Sequence, residues 1–374
     1  MRTLVVGGTG PTGSFIVNGL RERGREVTIF HRGTHEIVEI PSDVRHIHGD
    51  PHFAETIADA LAGETFDEVI ATYGRIRLIA EALAGKVGRF ISVGGNAVYR
   101  GLASPRLLPF GITAPIREDF PLADDGVEER FGMLIAHTEA VVFANHPTAT
   151  VFRYPYVYGP YQLVPREWSI VRRVLDGRQR ILVPDGGTTL FTHGWAGNLA
   201  HAVLLAVDQP EVSAGKAYNC GDLDQLTIAQ IVDVVAGALG ARLEPVSVPW
   251  EAAGPAKTLT LSEHGHRLTD LALVRHDLGY TDVLPAVEAL ARTARWYADN
   301  GAGAELEERL GDPFDYEWED RMFETAGDVT ELWSASHPSE NNGDMAHTEA
   351  GRRFHPHPYA HPKEAGVERD HRGR

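Results

Sequence analysis

The chain has 374 residues, of which 43% are hydrophobic, enough to bury one large core or two modest ones. Its formal net charge is −17 and no basic cluster precedes the last two dozen residues, so we expect no nucleic-acid partner. A single cysteine, Cys220, excludes internal disulfides and CxxC metal sites, and the short apolar runs indicate neither a signal peptide nor a membrane span, which together predict a cytoplasmic protein.

Short β-rich runs alternate with helix-length segments from residue 1 to about residue 155. The runs are TLVVGG, EVTIF, VRHIHGD, DEVIAT, RFISVGG and ATVFRY. Alternation of this kind predicts a parallel sheet that is covered by helices on both faces. We therefore predict an α/β fold whose residues 1–155 form a Rossmann-type doubly wound domain that binds a dinucleotide.

Pro/Gly-rich loops and amphipathic helices alternate over residues 156–300, which predicts a smaller α/β cap that mainly binds substrate. The predicted helices lie near residues 167–176, 196–207, 227–239 and 284–298. Residues 301–374 are acidic and then His/Pro-rich, and we predict a C-terminal extension that is disordered or wraps around a dimer partner. Its histidines 355, 357 and 361 lie among prolines without carboxylate or cysteine ligands, so we expect no metal site.

A glycine-rich loop joins the first predicted strand to the first predicted helix. The segment LVVGGTGPTGSFIV spaces Gly7, Gly10 and Gly13 for a tight turn, a close approach of backbone to a pyrophosphate, and close packing of helix on strand. This pattern predicts a dinucleotide site, and a tight turn without ligand is the alternative. The loop residues predicted to bind the cofactor are Gly7, Thr9, Gly10, Pro11, Thr12 and Gly13.

The second predicted strand ends in TIFHRGTHE, where an NAD site would usually carry an acidic residue for the ribose 2′-hydroxyl. Arg32 stands there instead, and a planar guanidinium can bind two oxygens of a 2′-phosphate. NADP is therefore predicted as the cofactor, with NAD as the alternative and a solvated loop charge as the other reading of Arg32. Asp50 is predicted to accept a hydrogen bond from the adenine amino group or to cap a helix. Thr72 and Tyr73 complete the predicted cofactor set.

Four segments, in the right order, resemble the extended short-chain dehydrogenase/reductase family, in its NAD-dependent epimerase/dehydratase group. They are GGTGPTG, FISVGGNAVYR, VFRYPYVYGP and VRHDLGYTDVLPAVEALARTARWYADN, and the resemblance covers residues 1–300. It implies a Rossmann fold, a nicotinamide coenzyme and a homodimer. It also implies a tyrosine that moves a proton, a lysine four residues later that lowers the tyrosine pKa, and a serine or threonine after the fifth strand.

The three positions that the resemblance assigns to this chemistry have lost their functional groups. They are Phe131 for the tyrosine, Ile135 for the lysine and Gly95 for the serine, and residues 1–300 contain no Tyr-x-x-x-Lys. Because neither Phe131 nor Ile135 can move a proton, we predict that the usual catalyst is lost. The predicted replacements are Tyr73, Tyr99 and Asn96, with backbone N–H groups of Gly94 and Gly95 as a further donor site. Tyr73 could instead pack over the nicotinamide, and Tyr99 could line the substrate pocket.

The substrate pocket is predicted from the same resemblance, at the sixth strand and in the cap. Its predicted residues are Gly95, Tyr156, Tyr158, His193 and Trp195. A flat or apolar substrate would suit an exposed tryptophan, and ordinary core packing is the alternative. The arginines available to hold a sugar-nucleotide diphosphate are Arg172, Arg173, Arg178, Arg180 and Arg275, all of which could equally be solvated.

Together these features predict an atypical NADP-dependent oxidoreductase that acts on a small carbonyl or alcohol. One alternative is a nucleotide-binding or regulatory protein without turnover. Another is a nucleotide-sugar epimerase- or dehydratase-like enzyme that retains its cofactor and uses a tyrosine or His193 as the base.

Overall fold

The structure, a computed structural model, describes residues 1–34, 36–102, 112–124, 130–261 and 264–325. Its strands are β1 (Arg2–Val6), β2 (Glu26–His31), β3 (Arg45–His48), β4 (Glu68–Ala71), β5 (Arg89–Gly95), β6 (Thr150–Tyr154), β7 (Tyr156–Tyr158), β8 (Arg180–Pro184), β9 (His193–Trp195), β10 (Ala217–Asn219) and β11 (Glu244–Val248). Its α-helices are α1 (Gly13–Glu22), α2 (Ala54–Ala60), α3 (Ile76–Ala82), α4 (Arg130–Asn145), α5 (Arg166–Leu175), α6 (Ala196–Asp208), α7 (Pro210–Ser213), α8 (Ile228–Ala238), α9 (Ala272–Leu278), α10 (Ala286–Asn300) and α11 (Ala304–Leu310).

Seven parallel strands form the central sheet in the order β10-β6-β5-β4-β1-β2-β3. Val5 of β1 pairs with Ile29 of β2 on one side and with Ile70 of β4 on the other. The strand order reverses direction between β1 and β4, which is where a doubly wound sheet opens a crevice at the carboxyl ends of its strands. The predicted Rossmann-type fold is therefore confirmed.

Both faces of the sheet are buried, because the strands are apolar at successive positions. Val5 lies in a cluster with residues of α1 and α6, including Ile16 and Leu199. Its neighbours Leu4 and Val6 point to the opposite face, into a second cluster with residues of α2, α3 and α4. Successive side chains of a strand alternate between faces, so an uninterrupted apolar run fits a sheet with helices on both sides.

The seventh strand comes from a part of the sequence that was predicted as mainly cap. Residues 217–219 pair in parallel with β6, Tyr218 lying opposite Phe152. The three-residue strand is too short to give a periodic pattern, so its place in the sheet was not recognised from the sequence.

The cap has its own apolar core and two small parallel sheets. β8 pairs with β11 and β7 pairs with β9. Helices α5, α8 and α10 pack together around buried residues such as Trp168, Val232 and Leu290. The four helices predicted for this region are confirmed, within two residues at either end, as α5, α6, α8 and α10.

The chain divides into two compact units, residues 1–319 and 320–374. Residues 316–319 of the first unit are helical, and so are residues 320–325, the described part of the second. The predicted boundaries at residues 155 and 300 stay predictions, and most of the predicted extension, with its three tail histidines, lies outside the described residues. Among those residues, no helix combines the length and the apolar character needed to cross a membrane.

Candidate active site

The glycine loop after β1 is folded so tightly that two of its glycines cannot carry a side chain. Gly7 has φ of +96°, and a Cβ there would lie 2.3 Å from the Cβ of Tyr73. A Cβ on Gly13, the first residue of α1, would lie 2.1 Å from the carbonyl oxygen of Gly8. These contacts agree with the tight turn and the close packing of helix on strand that the glycine spacing predicted.

Gly10, the middle glycine, differs from the other two. A Cβ built there would meet within 4 Å only the carbonyl oxygen of Gly7, at 3.8 Å. The residue lies just before the N-terminus of α1, and the side chain of Thr12 makes no capping hydrogen bond to that helix. The helix dipole and the N–H groups of the first helical turn favour an anion at such a position.

Three of the predicted cofactor residues meet beside this loop, at the carboxyl ends of β2 and β4. The guanidinium carbon of Arg32, an exposed side chain, lies 5.8 Å from the centre of the Tyr73 ring. The Tyr73 ring also makes a T-shaped contact with the His52 ring, with the ring centres 5.1 Å apart. Thr72 donates its hydroxyl to the carbonyl of Val6 at 3.0 Å and so joins β4 to β1. Tyr73 thus lies beside Arg32, just after the carboxyl end of β4.

Asp50 is also at this end, and its carboxylate is already engaged. It accepts hydrogen bonds from the backbone N–H of His52 at 3.0 Å and from the His52 ring at 2.8 Å. The His52 hydrogen bond, aided by the charge of Arg32, holds the pKa of Asp50 below its usual value. Since α2 begins at Ala54 with Phe53 as its N-cap, Asp50 is not the helix cap. Its free lone pairs leave the predicted adenine contact open.

Gly94, Gly95 and Ile135 form a surface that we call the β5–α4 wall. A Cβ on Gly94 would lie 3.6 Å from Cγ2 of Ile135, and one on Gly95 would lie 3.6 Å from its Cδ1. Ile135 therefore faces the end of β5, as expected for the residue at the lysine position of the resemblance. Phe131, one turn earlier, is 65% exposed. The wall offers a dry surface but no proton donor among its own side chains.

Asn96 follows the wall directly and begins a short 3-10 helix. Its side chain is partly exposed, and among the described residues we find no hydrogen bond to its amide. Of the three predicted catalytic side chains, it alone combines a position at the end of β5 with a free donor group. Tyr359 and Lys363 do have the Tyr-x-x-x-Lys spacing, but Pro362 interrupts it and all three lie outside the described residues.

Tyr99 is placed in a buried network that the sequence did not reveal. Its hydroxyl donates to Oδ1 of Asn219 at 2.6 Å and accepts a hydrogen bond from Arg153 at 2.9 Å. Arg153 in turn forms a bidentate ion pair with Glu139 of α4, at 3.0 and 2.9 Å. Burial raises the pKa of Tyr99 to about 12. A phenol that is fully buried, already bonded and so weakly acidic is a structural residue by its geometry, so the structure does not support Tyr99 as the replacement acid.

The predicted pocket residues of the cap lie mostly in its interior. Tyr158, His193 and Trp195 are each less than 5% exposed. The Tyr158 hydroxyl donates to Asp222 at 2.6 Å, and the backbone N–H of Trp195 donates to the same carboxylate at 2.9 Å. This placement agrees with the core alternative for Trp195 and corrects the expectation that these three residues touch substrate. Tyr156 is only partly buried and remains a candidate.

Two of the five cap arginines that could have held a diphosphate, Arg172 and Arg173, instead bind acidic residues further along the chain. Arg173 is buried and pairs with Asp312 at 2.7 Å and with Glu319. Arg172 pairs with Glu307 at 2.8 Å and with Asp176, also at 2.8 Å. These arginines are therefore structural counter-ions, which explains why the acidic composition after residue 300 accompanies an arginine-rich α5.

His193 should make stability depend on pH in a defined window. Burial, with the charge of Arg166, lowers its pKa from 6.5 to about 3. Between these values the unfolded chain binds a proton that the folded chain does not, so stability is lost as pH falls from about 6.5 towards 3. In His193→Leu we expect that loss to shrink by up to ~1.4 kcal/mol per pH unit, the value for one proton.

The measurement is urea unfolding from pH 4 to 7, comparing slopes rather than absolute stabilities. Asp222, whose pKa burial raises to about 7, contributes a slope of opposite sign, and the difference between the two proteins removes it. Equal slopes for wild type and His193→Leu would show that His193 is not buried in its neutral form.

Comparison with known proteins shows what the chain is similar to. Residues 72–221 match the NAD dependent epimerase/dehydratase family. The chain is 26% identical over 322 residues to the chloroplast stem-loop binding protein of 41 kDa b from Arabidopsis thaliana, with 81% of this chain and 80% of that protein covered. It is 25% identical over 342 residues to a dTDP-glucose 4,6-dehydratase from Streptomyces antibioticus, covering 81% of this chain and 94% of the relative.

Among solved structures, the crystal structure of the Bordetella bronchiseptica enzyme WbmG in complex with NAD matches with a TM-score of 0.64 at 17% identity. The match covers 82% of this chain and 96% of that one, and at this identity it shows the fold. These findings agree with the predicted enzyme class, epimerase/dehydratase-like. The chain is thus similar to the NAD-dependent epimerase/dehydratase family over residues 72–221, which agrees with the resemblance of its motifs.

Proposed function

We propose that the protein is an atypical NADP-dependent oxidoreductase that acts on a small carbonyl or alcohol. The observation that carries the proposal is the open space at Gly10. At Gly7 and Gly13, neighbouring atoms already occupy the space that a side chain would need. Gly10 instead faces open space at the N-terminus of a ten-residue helix. A pyrophosphate suits this position, because the backbone can approach it without a side chain in between.

The preference for NADP rests on Arg32. Its guanidinium is exposed beside Tyr73, at the end of the strand that follows the glycine loop and its helix. The carboxyl end of β2 carries no acidic residue that could bind a ribose 2′-hydroxyl, because the strand ends with His31. The complex of WbmG with NAD supports a nicotinamide dinucleotide in general. Arg32 supports the 2′-phosphate in particular.

The residues for the reaction lie at the β5–α4 wall. A bound nicotinamide coenzyme would supply or accept hydride. Ile135 excludes water from that side, and the small residues Gly94 and Gly95 leave room for substrate. The amide of Asn96 would donate a hydrogen bond to the substrate oxygen as it gains negative charge. Solvent would supply the proton that completes the alcohol when a carbonyl is reduced, and would accept that proton when an alcohol is oxidised. This arrangement needs no tyrosine–lysine pair, because the oxyanion is stabilised by neutral donors.

Substitution of Arg32 by alanine tests the cofactor assignment. We expect NADPH binding to weaken about tenfold or more, since hydrogen bonds to charged groups contribute about 1.5–3 kcal/mol. NADH binding should change little. Arg75→Ala is the matched control, because Arg75 is another exposed arginine beside an aromatic ring, that of Phe53 at 5.8 Å. Fluorescence titration with both reduced coenzymes makes the comparison, and equal weakening of NADPH and NADH would remove the 2′-phosphate contact.

A nucleotide-binding protein without turnover is the second candidate function. Phe131, Ile135 and Gly95 favour it, because the three positions lack any group that moves a proton. The name of the Arabidopsis relative also suggests binding to a nucleic-acid stem-loop. A net charge of −17 disfavours contact with a negatively charged phosphate backbone. A panel of carbonyls and alcohols distinguishes the candidates. Oxidation of bound NADPH by any of them supports the enzyme, whereas binding of NADPH without a change of redox state supports the second candidate.

A nucleotide-sugar epimerase- or dehydratase-like enzyme that retains its cofactor is the third candidate function. The relative from Streptomyces antibioticus bears such a name, but Arg172 and Arg173 are paired with acidic side chains. The buried His193, whose pKa is about 3, offers a poor base, since its lone unpaired nitrogen has no access to solvent. We keep the homodimer and the cytoplasmic location as predictions. Exposed Phe131 and Leu134 on α4 support a packing face for a second copy.

A further inference from the structure

Four side chains with metal-binding atoms converge at the far edge of the sheet, and we call them the histidine cluster: His31, Glu36, His46 and His48. His31 ends β2, and in the ladder it lies opposite His48 of β3. His46 and His48 are two residues apart on one strand, so their side chains point to the same face. Glu36 comes from the connection between the strands. The fold thus brings together four residues from two strands and the connection between them.

The spacing of the ligand atoms fits a single metal ion. Nε2 of His31 lies 2.9 Å from Nδ1 of His46 and 3.5 Å from Oε1 of Glu36. The same carboxylate lies 3.5 Å from Nδ1 of His46 and 3.9 Å from Nε2 of His48. A tetrahedral ion with ligands at about 2.0–2.1 Å separates them by about 3.3 Å. Small rotations of the side chains would therefore place all four atoms around one centre.

We propose that the histidine cluster binds a divalent transition-metal ion of the Zn²⁺ class. Three imidazoles and one carboxylate are the ligands that zinc prefers, whereas Mg²⁺ and Ca²⁺ prefer oxygen alone. One carboxylate faces three imidazole rings, so a bound cation would give all four side chains a common attractive partner. Gly33, with φ of +74°, would place a Cβ only 3.2 Å from the His48 ring, so the turn packs closely against that ligand.

The cluster has both a fixed ligand and an open route to solvent. The side chain of His31 is 4% exposed, whereas those of Glu36 and His48 are 53% and 61% exposed. A metal ion could therefore enter from solvent and complete its shell on a buried ring. The site does not depend on the proposed function. It departs from the sequence expectation of no metal site, because the ligands are spread over two strands and a connection rather than set in one motif.

The test uses the full chain without an affinity tag, stripped with a chelator and then titrated with Co²⁺ and with Zn²⁺. We expect one equivalent of Co²⁺ to bind with the intense visible absorption of a tetrahedral complex, and Zn²⁺ to displace it. Glu36→Gln and His48→Gln should each weaken Co²⁺ binding by at least about tenfold, since even an outer-shell partner contributes about 10–100-fold. Both side chains are exposed, so the variants should fold.

Two controls separate this cluster from other histidines. His276→Gln replaces a histidine whose side chain is 87% exposed, outside the cluster, and should bind Co²⁺ as the wild type does. A variant with glutamine at tail positions 355, 357 and 361 should also keep the spectrum. Unchanged Co²⁺ affinity in Glu36→Gln and His48→Gln, or loss of the spectrum in the tail variant, would overturn the proposal. So would the absence of a tetrahedral Co²⁺ spectrum in the wild type.

Discussion

Arg153→Met is expected to lower the free energy of unfolding by about 3–5 kcal/mol, the usual loss when one partner of a buried ion pair is removed. The side chains of Arg153 and Glu139 are each 6% exposed, so the substitution leaves the Glu139 carboxylate buried without its counter-ion. It also removes the donor that Arg153 provides to Tyr99. Chemical denaturation of both proteins measures the difference.

Two further variants show whether this loss comes from the unpaired charge. Arg153→Met combined with Glu139→Leu removes both charges and should recover part of the stability, because apolar pairs often replace buried ion pairs at little loss. Arg309→Ala breaks the pair with Glu305, whose side chains are 47% and 77% exposed, and should change stability by less than ~1 kcal/mol. A double variant that is no more stable than Arg153→Met would contradict the electrostatic explanation.

Gly13→Ala should destabilise the protein by more than the ~1–3 kcal/mol typical of an overpacked core. The new Cβ would lie 2.1 Å from the Gly8 carbonyl oxygen, a backbone atom that no side-chain rotation can move. The helix α1 must then shift away from the loop, and NADPH binding should be lost with it. Urea unfolding and a fluorescence titration with NADPH record the two effects.

Gly10→Ala is the matched variant, because its new Cβ meets only the Gly7 carbonyl oxygen at 3.8 Å. We expect stability within about 1 kcal/mol of the wild type, in line with the intrinsic propensities of the two residues. NADPH binding should nevertheless weaken strongly, since the methyl group occupies the space proposed for the pyrophosphate. Wild-type affinity in Gly10→Ala would mean that the coenzyme does not pass over this residue.

The sequence predicted the sheet and most of the helices because both leave periodic patterns. Apolar runs such as TLVVGG marked β1, and the amphipathic pattern near residues 284–298 marked the helix that the structure shows as α10, Ala286–Asn300. Strand β10 has three residues, too few for any period, and only its partner β6 defines it. Whether such a short segment joins the edge of a sheet depends on tertiary contacts, which a local sequence pattern does not contain.

The candidate site was predictable where backbone geometry dictates the residue and unpredictable where side chains meet across the fold. Gly7 and Gly13 are fixed by close approaches of the chain to itself, so their spacing is visible in the sequence. Tyr99 was expected at the substrate, yet its hydroxyl meets Asn219, 120 residues away. The convergence of His31, His46 and His48 was not predicted from the sequence, because His31 and His48 come together only through the pairing of β2 with β3.

The ion pairs of α5 set the smallest piece of this chain that can be expected to fold by itself. Shortening the protein at residue 300, where the composition changes, would remove Asp312 and Glu319 and strand the guanidinium of Arg173 in an apolar interior. A designed truncation should therefore retain residues through 319. The acidic residues Glu307, Asp312 and Glu319 are in this sense internal parts of the cap.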